Sequence, residues 1–346
     1  MTVDNRTQTV LVTGASGFVA THVVSAFLSA GYHVRGTVRS ESKAKSTAAI
    51  FPSDVQSRLS FVVVEDIAVP GAFDEAVKDV DGVIHTASPF ILQAKDNKRD
   101  LLDPAINGTL NILKAIQKHG TTAKRLVVTS SFAAILDLSK GNRPGYTYTE
   151  KDWNPATYEE ALKSDNGAFV YCASKKLAEK TAYDFVESEK PNFSIATICP
   201  PMVYGPAIQP IHSLSSLNES IGDIYRFMNG STPKVQVNGF WAFVDVRDVA
   251  QAHLKAYEHP EGGRFFVTGG IFTYQQVVKT IRNVPGVDQS KVSKDDPSLE
   301  WPETYKVDNS KSRKELGIEF RSLEESIRDT ALQMLHWEQK LGNNEH

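Results

Sequence analysis

Tyr171 and Lys175 stand four residues apart in the stretch "VYCASKKLAEKTAYDF". On a helix that spacing puts a phenol and an ammonium on one face. A phenol of pKa about 10 is a poor acid or base at neutral pH, but a neighbouring cation favours the phenolate and lowers that value. Lys175 is therefore expected to tune Tyr171 for passing a proton to a carbonyl oxygen, and to reach a cofactor ribose as well. Chance Tyr-x-x-x-Lys pairs are common in helices, so the pair carries chemistry only beside other parts of a site. One such part is "RLVVTSSFAAI", where Ser130 and Ser131 end an apolar run. As the fifth strand of an open α/β sheet, this run would bring them to the C-terminal edge, where ligands bind. Side chains alternate along an extended chain, so one serine faces a substrate carbonyl and the other points away.

The second part is a glycine loop. In "TVLVTGASGFVATHVV", Gly14, Gly17 and Ala20 follow an apolar run and open a helix-like segment. Gly14 permits a tight turn, Gly17 lets the backbone approach a pyrophosphate, and Ala20 lets helix pack on strand. The helix N-terminus then offers unpaired N–H groups and a positive dipole end to phosphate. That makes the loop a dinucleotide site formed by Gly14, Ser16 and Gly17 with the first helical residues, Phe18 and Val19. NAD sites carry Asp or Glu near the end of the second strand to bind the ribose 2′-hydroxyl. Here "YHVRGTVRSESK" has no acid from Tyr32 to Arg39. Gly36 is expected to leave space beside the ribose, with Arg39 and Lys43 meeting a 2′-phosphate, which favours NADPH. Arg35 is a weaker candidate, because alternation leaves its direction unsettled.

Positioning these groups requires strands and helices in alternation. The runs "TVLVTG", "YHVRGTVR", "LSFVVVED", "GVIHTAS", "RLVVTSS" and "SIATICP" are apolar and β-branched and are separated by helix-period segments. This is the pattern of βαβ units, and the near-continuous apolarity means strands covered on both faces. The fold class is α/β, a Rossmann-type doubly wound parallel sheet. A helix is expected over Leu101 to His119, with Gly120 as a left-handed cap. Beyond Pro200 the alternation loosens through "PPMVYGPAIQPIHSLSSLNES". The expected division is an NADP-binding domain over residues 1–199, to which 240–268 returns. A smaller, discontinuous substrate lobe is expected from 200–239 and 269–346.

Composition narrows the partners. A chain of 346 residues with 41% hydrophobic and 23% charged residues folds by ordinary apolar burial. Net charge is −3 and no Lys/Arg block occurs, so neither nucleic acid nor an anionic membrane surface is indicated. No apolar run approaches the ~20 residues of a membrane span, and the start "MTVDNRTQT" lacks the regions of a secretory signal. A cytoplasmic protein, monomer or homodimer, acting on small molecules is expected. The two cysteines, Cys172 and Cys199, have no metal-site spacing and read as packing residues. His85 reads as a satisfied structural histidine and His22 as a packing or surface group.

Together these residues resemble the extended short-chain dehydrogenase/reductase superfamily, over nearly the whole chain. The strings "HTASPF", "VVTSSFAAI", "DWNPATY", "YCASKKLAEK" and "DVRDVAQAHL" are similar to those of yeast NADPH-dependent methylglyoxal and carbonyl reductases, with plant dihydroflavonol reductases as cousins. The resemblance implies Ser131 as the carbonyl-binding serine, Tyr171 as general acid and Lys175 as its partner. It implies further that Arg39 and Lys43 bind the 2′-phosphate and that Asp66 and Ile67 lie by the adenine. Thr86, Ala87, Ser88 and Thr129 would line the cofactor, with Pro200 and Val203 near the nicotinamide. Asn107 matches a helix asparagine of the wider family. "CPPMVYGP" departs from the usual NPVYVFGP-like form, and this segment touches substrate. Phe90, Phe132 and Tyr204 sit beside the site in sequence and are either an apolar substrate wall or core. The leading reading is reduction of aldehydes and ketones with NADPH. A nucleotide-sugar epimerase or dehydratase shares the loop and the Tyr/Lys pair, and a non-catalytic NADP-sensing module would be expected to have lost that pair.

Overall fold

The computed structural model describes residues 7–88 and 94–342. Its centre is a sheet of seven parallel strands, numbered here in chain order: β1 (Thr9–Thr13), β2 (His33–Val38), β3 (Leu59–Val63), β4 (Gly82–His85), β5 (Arg125–Thr129), β6 (Ser194–Cys199) and β7 (Gly263–Phe266). Their spatial order is 3-2-1-4-5-6-7. The order reverses between β1 and β4, which is where a doubly wound sheet opens its ligand crevice.

Alternation along the strands feeds two cores. Val10 and Val12 of β1 enter the cluster on one face of the sheet, while Leu11 enters the cluster on the other. Val127 of β5 follows the first pattern, and its neighbours Leu126 and Val128 follow the second. With both faces covered by helices, the inner strands have no solvent side, which is why their sequences read as unbroken apolar runs, while the edge strand β3 is only half-buried.

The helix expected from Leu101 begins at Asp103 and runs to His119, preceded by a π-helical turn over Asn97–Leu102. Gly120 ends it without the expected left-handed conformation, at φ −92°. A Cβ there would sit tightly, 3.1 Å from the Ile116 Cα and 3.3 Å from the Val77 carbonyl oxygen. A separate apolar core draws on three stretches of chain, Tyr204 to Val235, Phe272 to Val292 and Ile327 to Met334, with Phe243. Beside it, a three-stranded sheet sets Ala242–Asp245 between Met202–Tyr204 and Gly270–Ile271. Among the described residues no helix is long and apolar enough to cross a membrane. Both cysteines are free and buried.

Candidate active site

The glycine loop is shaped by two backbone requirements. Gly14 has φ +66°, a left-handed conformation that side chains disfavour, and a Cβ on it would stand 3.2 Å from Ala87. Gly17 is the N-cap of the helix Phe18–Ser29, is solvent-exposed, and provides no capping side chain. The first N–H groups of that helix therefore keep their capacity for an anion. Ala20 is buried in the core between helix and sheet. Val19 packs on that same core, and Phe18 turns towards the separate core beyond Pro200. Thr13 pins the loop from below: its hydroxyl accepts from the Thr86 and Ala87 N–H groups, each at 3.1 Å, and bonds His85 Nδ1 at 2.9 Å.

At the end of β2, Arg39 and Lys43 are exposed, and neither is paired with a carboxylate among the described residues. Two cations left without an acidic partner beside a dinucleotide loop fit a phosphate. Arg35 is engaged elsewhere, donating to the Ala76 carbonyl at 3.0 Å and to that of Lys78. Gly36 corrects an expectation. A Cβ there would meet the Ala15 Cβ at 2.7 Å and Phe61 at 2.8 Å, so its missing side chain makes room for protein packing under the loop. Asp66 is exposed and accepts from the Ala68 N–H at 2.8 Å. Ile67 packs against Gly108, and its carbonyl is held by Asn111 Nδ2 at 3.0 Å. Asn107 is exposed, one turn before Asn111 on the same helix.

Tyr171 and Lys175 lie on the long helix Gly167–Glu189, capped by the Asn166 side chain. The Ser131 hydroxyl lies beside the Tyr171 phenol. Ser131 also accepts from the Ala133 N–H at 3.1 Å, which fixes it at the start of a short 3₁₀ turn. Ser130 points away, as alternation requires, and donates to buried Glu179 at 2.7 Å. Lys175 Nζ lies 5.4 Å from the Tyr171 ring centroid and donates to Ser88 Oγ at 2.6 Å.

The electrostatics reverse one expectation. Burial raises the Tyr171 phenol well above its ordinary value, neighbouring Cys172 adds to the rise, and the adjacent Ser131 hydroxyl only partly opposes it. Burial also pushes the Lys175 ammonium down, to about 8. At neutral pH Tyr171 is thus the protonated phenol, the form a proton donor needs.

Other candidates separate cleanly. Phe132 is fully buried, stacked on Phe266 at 4.8 Å and edge-on to Tyr148 and Tyr305, so it is core and not a substrate wall. Tyr204 is likewise fully buried, its hydroxyl donating to Asp223 at 2.6 Å. Phe90 lies outside the described residues. Thr129 bonds His253 Nε2 at 2.7 Å. Pro200 is buried and its carbonyl accepts from the Phe132 N–H at 2.8 Å, while Val203 is half-buried against the main core. His85 is buried against Thr13 and Phe73, and His22 against the Pro206 carbonyl at 2.9 Å.

The model of the NAD dependent epimerase/dehydratase family matches residues 10–269. The chain belongs to this family. Among its relatives, the ketoreductase azaE of Aspergillus niger is 41% identical, the match covering 94% of this chain and 97% of that protein. The NADPH-dependent methylglyoxal reductase GRE2 of Saccharomyces cerevisiae is 37% identical over 96% of this chain and 99% of its own. The crystal structure of yeast methylglyoxal/isovaleraldehyde reductase Gre2 complexed with NADPH superposes with a TM-score of 0.86 at 36% identity, covering 96% of this chain and 100% of that one. The Rossmann-type sheet read from the sequence is thus the sheet of this family.

Two features of this epimerase/dehydratase-family chain escaped sequence reasoning. Thr13 is one polar residue ending an apolar strand, and nothing nearby in sequence announces the two N–H groups it binds. Glu179 repeats the four-residue spacing after Tyr171 and Lys175, which was the available signal. Its partner Arg264 lies 85 positions on.

Proposed function

We propose that this chain is an NADPH-dependent carbonyl reductase that converts aldehydes and ketones to alcohols. The carrying observation is the Ser131 hydroxyl set beside the Tyr171 phenol, with Lys175 one turn along, at the strand ends beside an anion-ready glycine loop. The names of the NADPH-dependent relatives support the reading.

Gly14, Ser16, Gly17, Phe18 and Val19 would hold the pyrophosphate. Arg39 and Lys43 would bind the 2′-phosphate, and Asp66 and Ile67 the adenine. Thr86, Ala87, Ser88 and Thr129 would line the cofactor, with Pro200 and Val203 by the nicotinamide. When bound, NADPH supplies the hydride for the carbonyl carbon. Ser131 donates a hydrogen bond to the carbonyl oxygen and orients it. Tyr171, kept protonated by burial, gives its proton to that oxygen as negative charge develops. Lys175 holds a ribose hydroxyl and stabilises the phenolate left behind. Residues 1–199 with 240–268 form the cofactor domain in this reading, 200–239 and 269–346 the substrate lobe, and the protein works in the cytoplasm.

Tyr171→Phe tests it. The variant is expected to bind NADPH normally and lose ~10²-fold or more in turnover of methylglyoxal or an aryl ketone, followed by NADPH absorbance. Turnover near wild type removes Tyr171 from the mechanism. UDP-sugars, substrates under the epimerase reading, are expected to be returned unchanged.

A further inference from the structure

Beneath the catalytic face lies an ion pair that the proposed reaction does not use. Tyr171, Lys175 and Glu179 follow one another at four-residue steps on the helix Gly167–Glu189. The first two reach Ser131 and Ser88, and the third turns under the sheet edge. Glu179 has 1% of its side chain exposed and Arg264 of β7 has 8%. Arg264 Nε donates to Glu179 Oε1 at 2.9 Å and Nη2 to Oε2 at 3.0 Å, a bidentate pairing. Ser130 Oγ donates to the same carboxylate at 2.7 Å, and the Cys199 thiol approaches it at 3.5 Å.

The guanidinium has further partners. Its Nη2 donates to the Ala134 carbonyl at 3.2 Å and its Nη1 to the Glu150 carbonyl at 2.8 Å and to that of Asp152. Trp153 covers its face, with Arg264 Cζ 3.8 Å from the ring. Asn154 closes the same loop onto the turn, donating to the Ala133 carbonyl through Nδ2 and to the Ala134 carbonyl through its backbone N–H, both at 2.9 Å.

Ser131 is therefore tied on both sides. One residue before it, Ser130 is bonded to Glu179; three residues after it, Ala134 is bonded to Arg264. Glu179 is also two turns from Tyr171 on one rigid helix. We infer that Glu179 and Arg264 are a positioning pair which fixes the Ser131 hydroxyl against the Tyr171 phenol. A buried ion pair is a weak source of stability, because desolvation offsets most of its attraction. Its bidentate geometry instead sets two chain segments at one spacing, and catalysis is sensitive to such spacing: a displacement near ~1 Å at a reacting group can cost ~10²-fold.

The inference rests on the carbonyl-reductase reading, and the experiment separates the two. Glu179→Gln and Arg264→Lys are each made in the wild-type and Ser131→Ala backgrounds. NADPH affinity is read by fluorescence, folding by circular dichroism, and kcat and KM with methylglyoxal. In the wild-type background kcat is expected to fall about tenfold or more, with NADPH affinity and carbonyl KM within about threefold. With Ser131 already truncated, the same substitutions are expected to change kcat less than about twofold, because the hydroxyl they position is gone. Wild-type kcat in both variants, or equal fold losses with and without the Ser131 hydroxyl, overturns the inference. If Glu179→Gln does not fold, Arg264→Lys keeps both charges and completes the same cycle. Full activity of Tyr171→Phe would instead strike the underlying reading.

Discussion

Gly36→Ala places one methyl group under the glycine loop, and the structure says what it meets. The new Cβ would stand 2.7 Å from the Ala15 Cβ and 2.8 Å from the Phe61 ring, well inside van der Waals contact. Gly36 is not among the positive-φ glycines, so alanine brings no backbone strain and gains ~0.4–1 kcal/mol by narrowing the unfolded ensemble. Overpacking costs about 1–3 kcal/mol. The net is a destabilisation of about 0–2.6 kcal/mol, centred on ~1.3 kcal/mol, seen at that centre as a melting temperature lower by a few degrees. The push also reaches the cofactor loop, since the Ala15 N–H bonds the Thr37 carbonyl at 2.8 Å and the Gly14 N–H bonds Thr37 Oγ1 at 3.0 Å. NADPH affinity should fall with stability. Thermal melts and NADPH titration of the variant check both. An unchanged melting temperature with weakened NADPH would refute the packing account and restore the view that Gly36 clears space for the ribose.

Two further outcomes are expected. Arg39→Ala should weaken NADPH more than NADH by ~1.5–3 kcal/mol if a charged hydrogen bond is lost, with the lower end favoured by the exposure of Arg39; parallel KM changes for both coenzymes would refute its role. Acid should destabilise the fold through His22, His85 and His253, which burial lowers to about 4, about 3 and about 4. The unfolded chain binds these protons below about pH 6.5 while the folded one does not, so stability is full above that value. It is lost towards pH 4 at up to ~1.4 kcal/mol per pH unit for each histidine. A urea midpoint constant between pH 7 and pH 4.5 would contradict this.

The sheet, the loop and the Tyr/Lys pair were legible because each is dictated locally. Strand burial on both faces demands apolar runs, a left-handed turn demands Gly14, and one helical turn joins Tyr171 to Lys175. Alternation allowed only one of Ser130 and Ser131 to face the site, and the family resemblance pointed to Ser131. What failed required knowing the neighbours. Gly36 has no room for a side chain and Gly120 little, and only the atoms of Ala15, Phe61, Ile116 and Val77 reveal it. Phe132 and Tyr204 read as apolar in either role; their partners Phe266 and Asp223 are distant in sequence. The protonated state of Tyr171 follows from its burial, which spacing alone does not reveal.

The core assembled from Tyr204 to Val235, Phe272 to Val292 and Ile327 to Met334 has a bearing on biosynthesis. During translation its first stretch is complete about ninety residues before the last begins, so its aromatic and aliphatic side chains must wait, exposed, for a helix made much later. The strand Gly263–Phe266, which finishes the central sheet, also precedes that helix. A ribosome stalled before residue 327 would therefore hold a completed nucleotide-binding sheet beside an open, sticky half-lobe, and chaperones would find their target there.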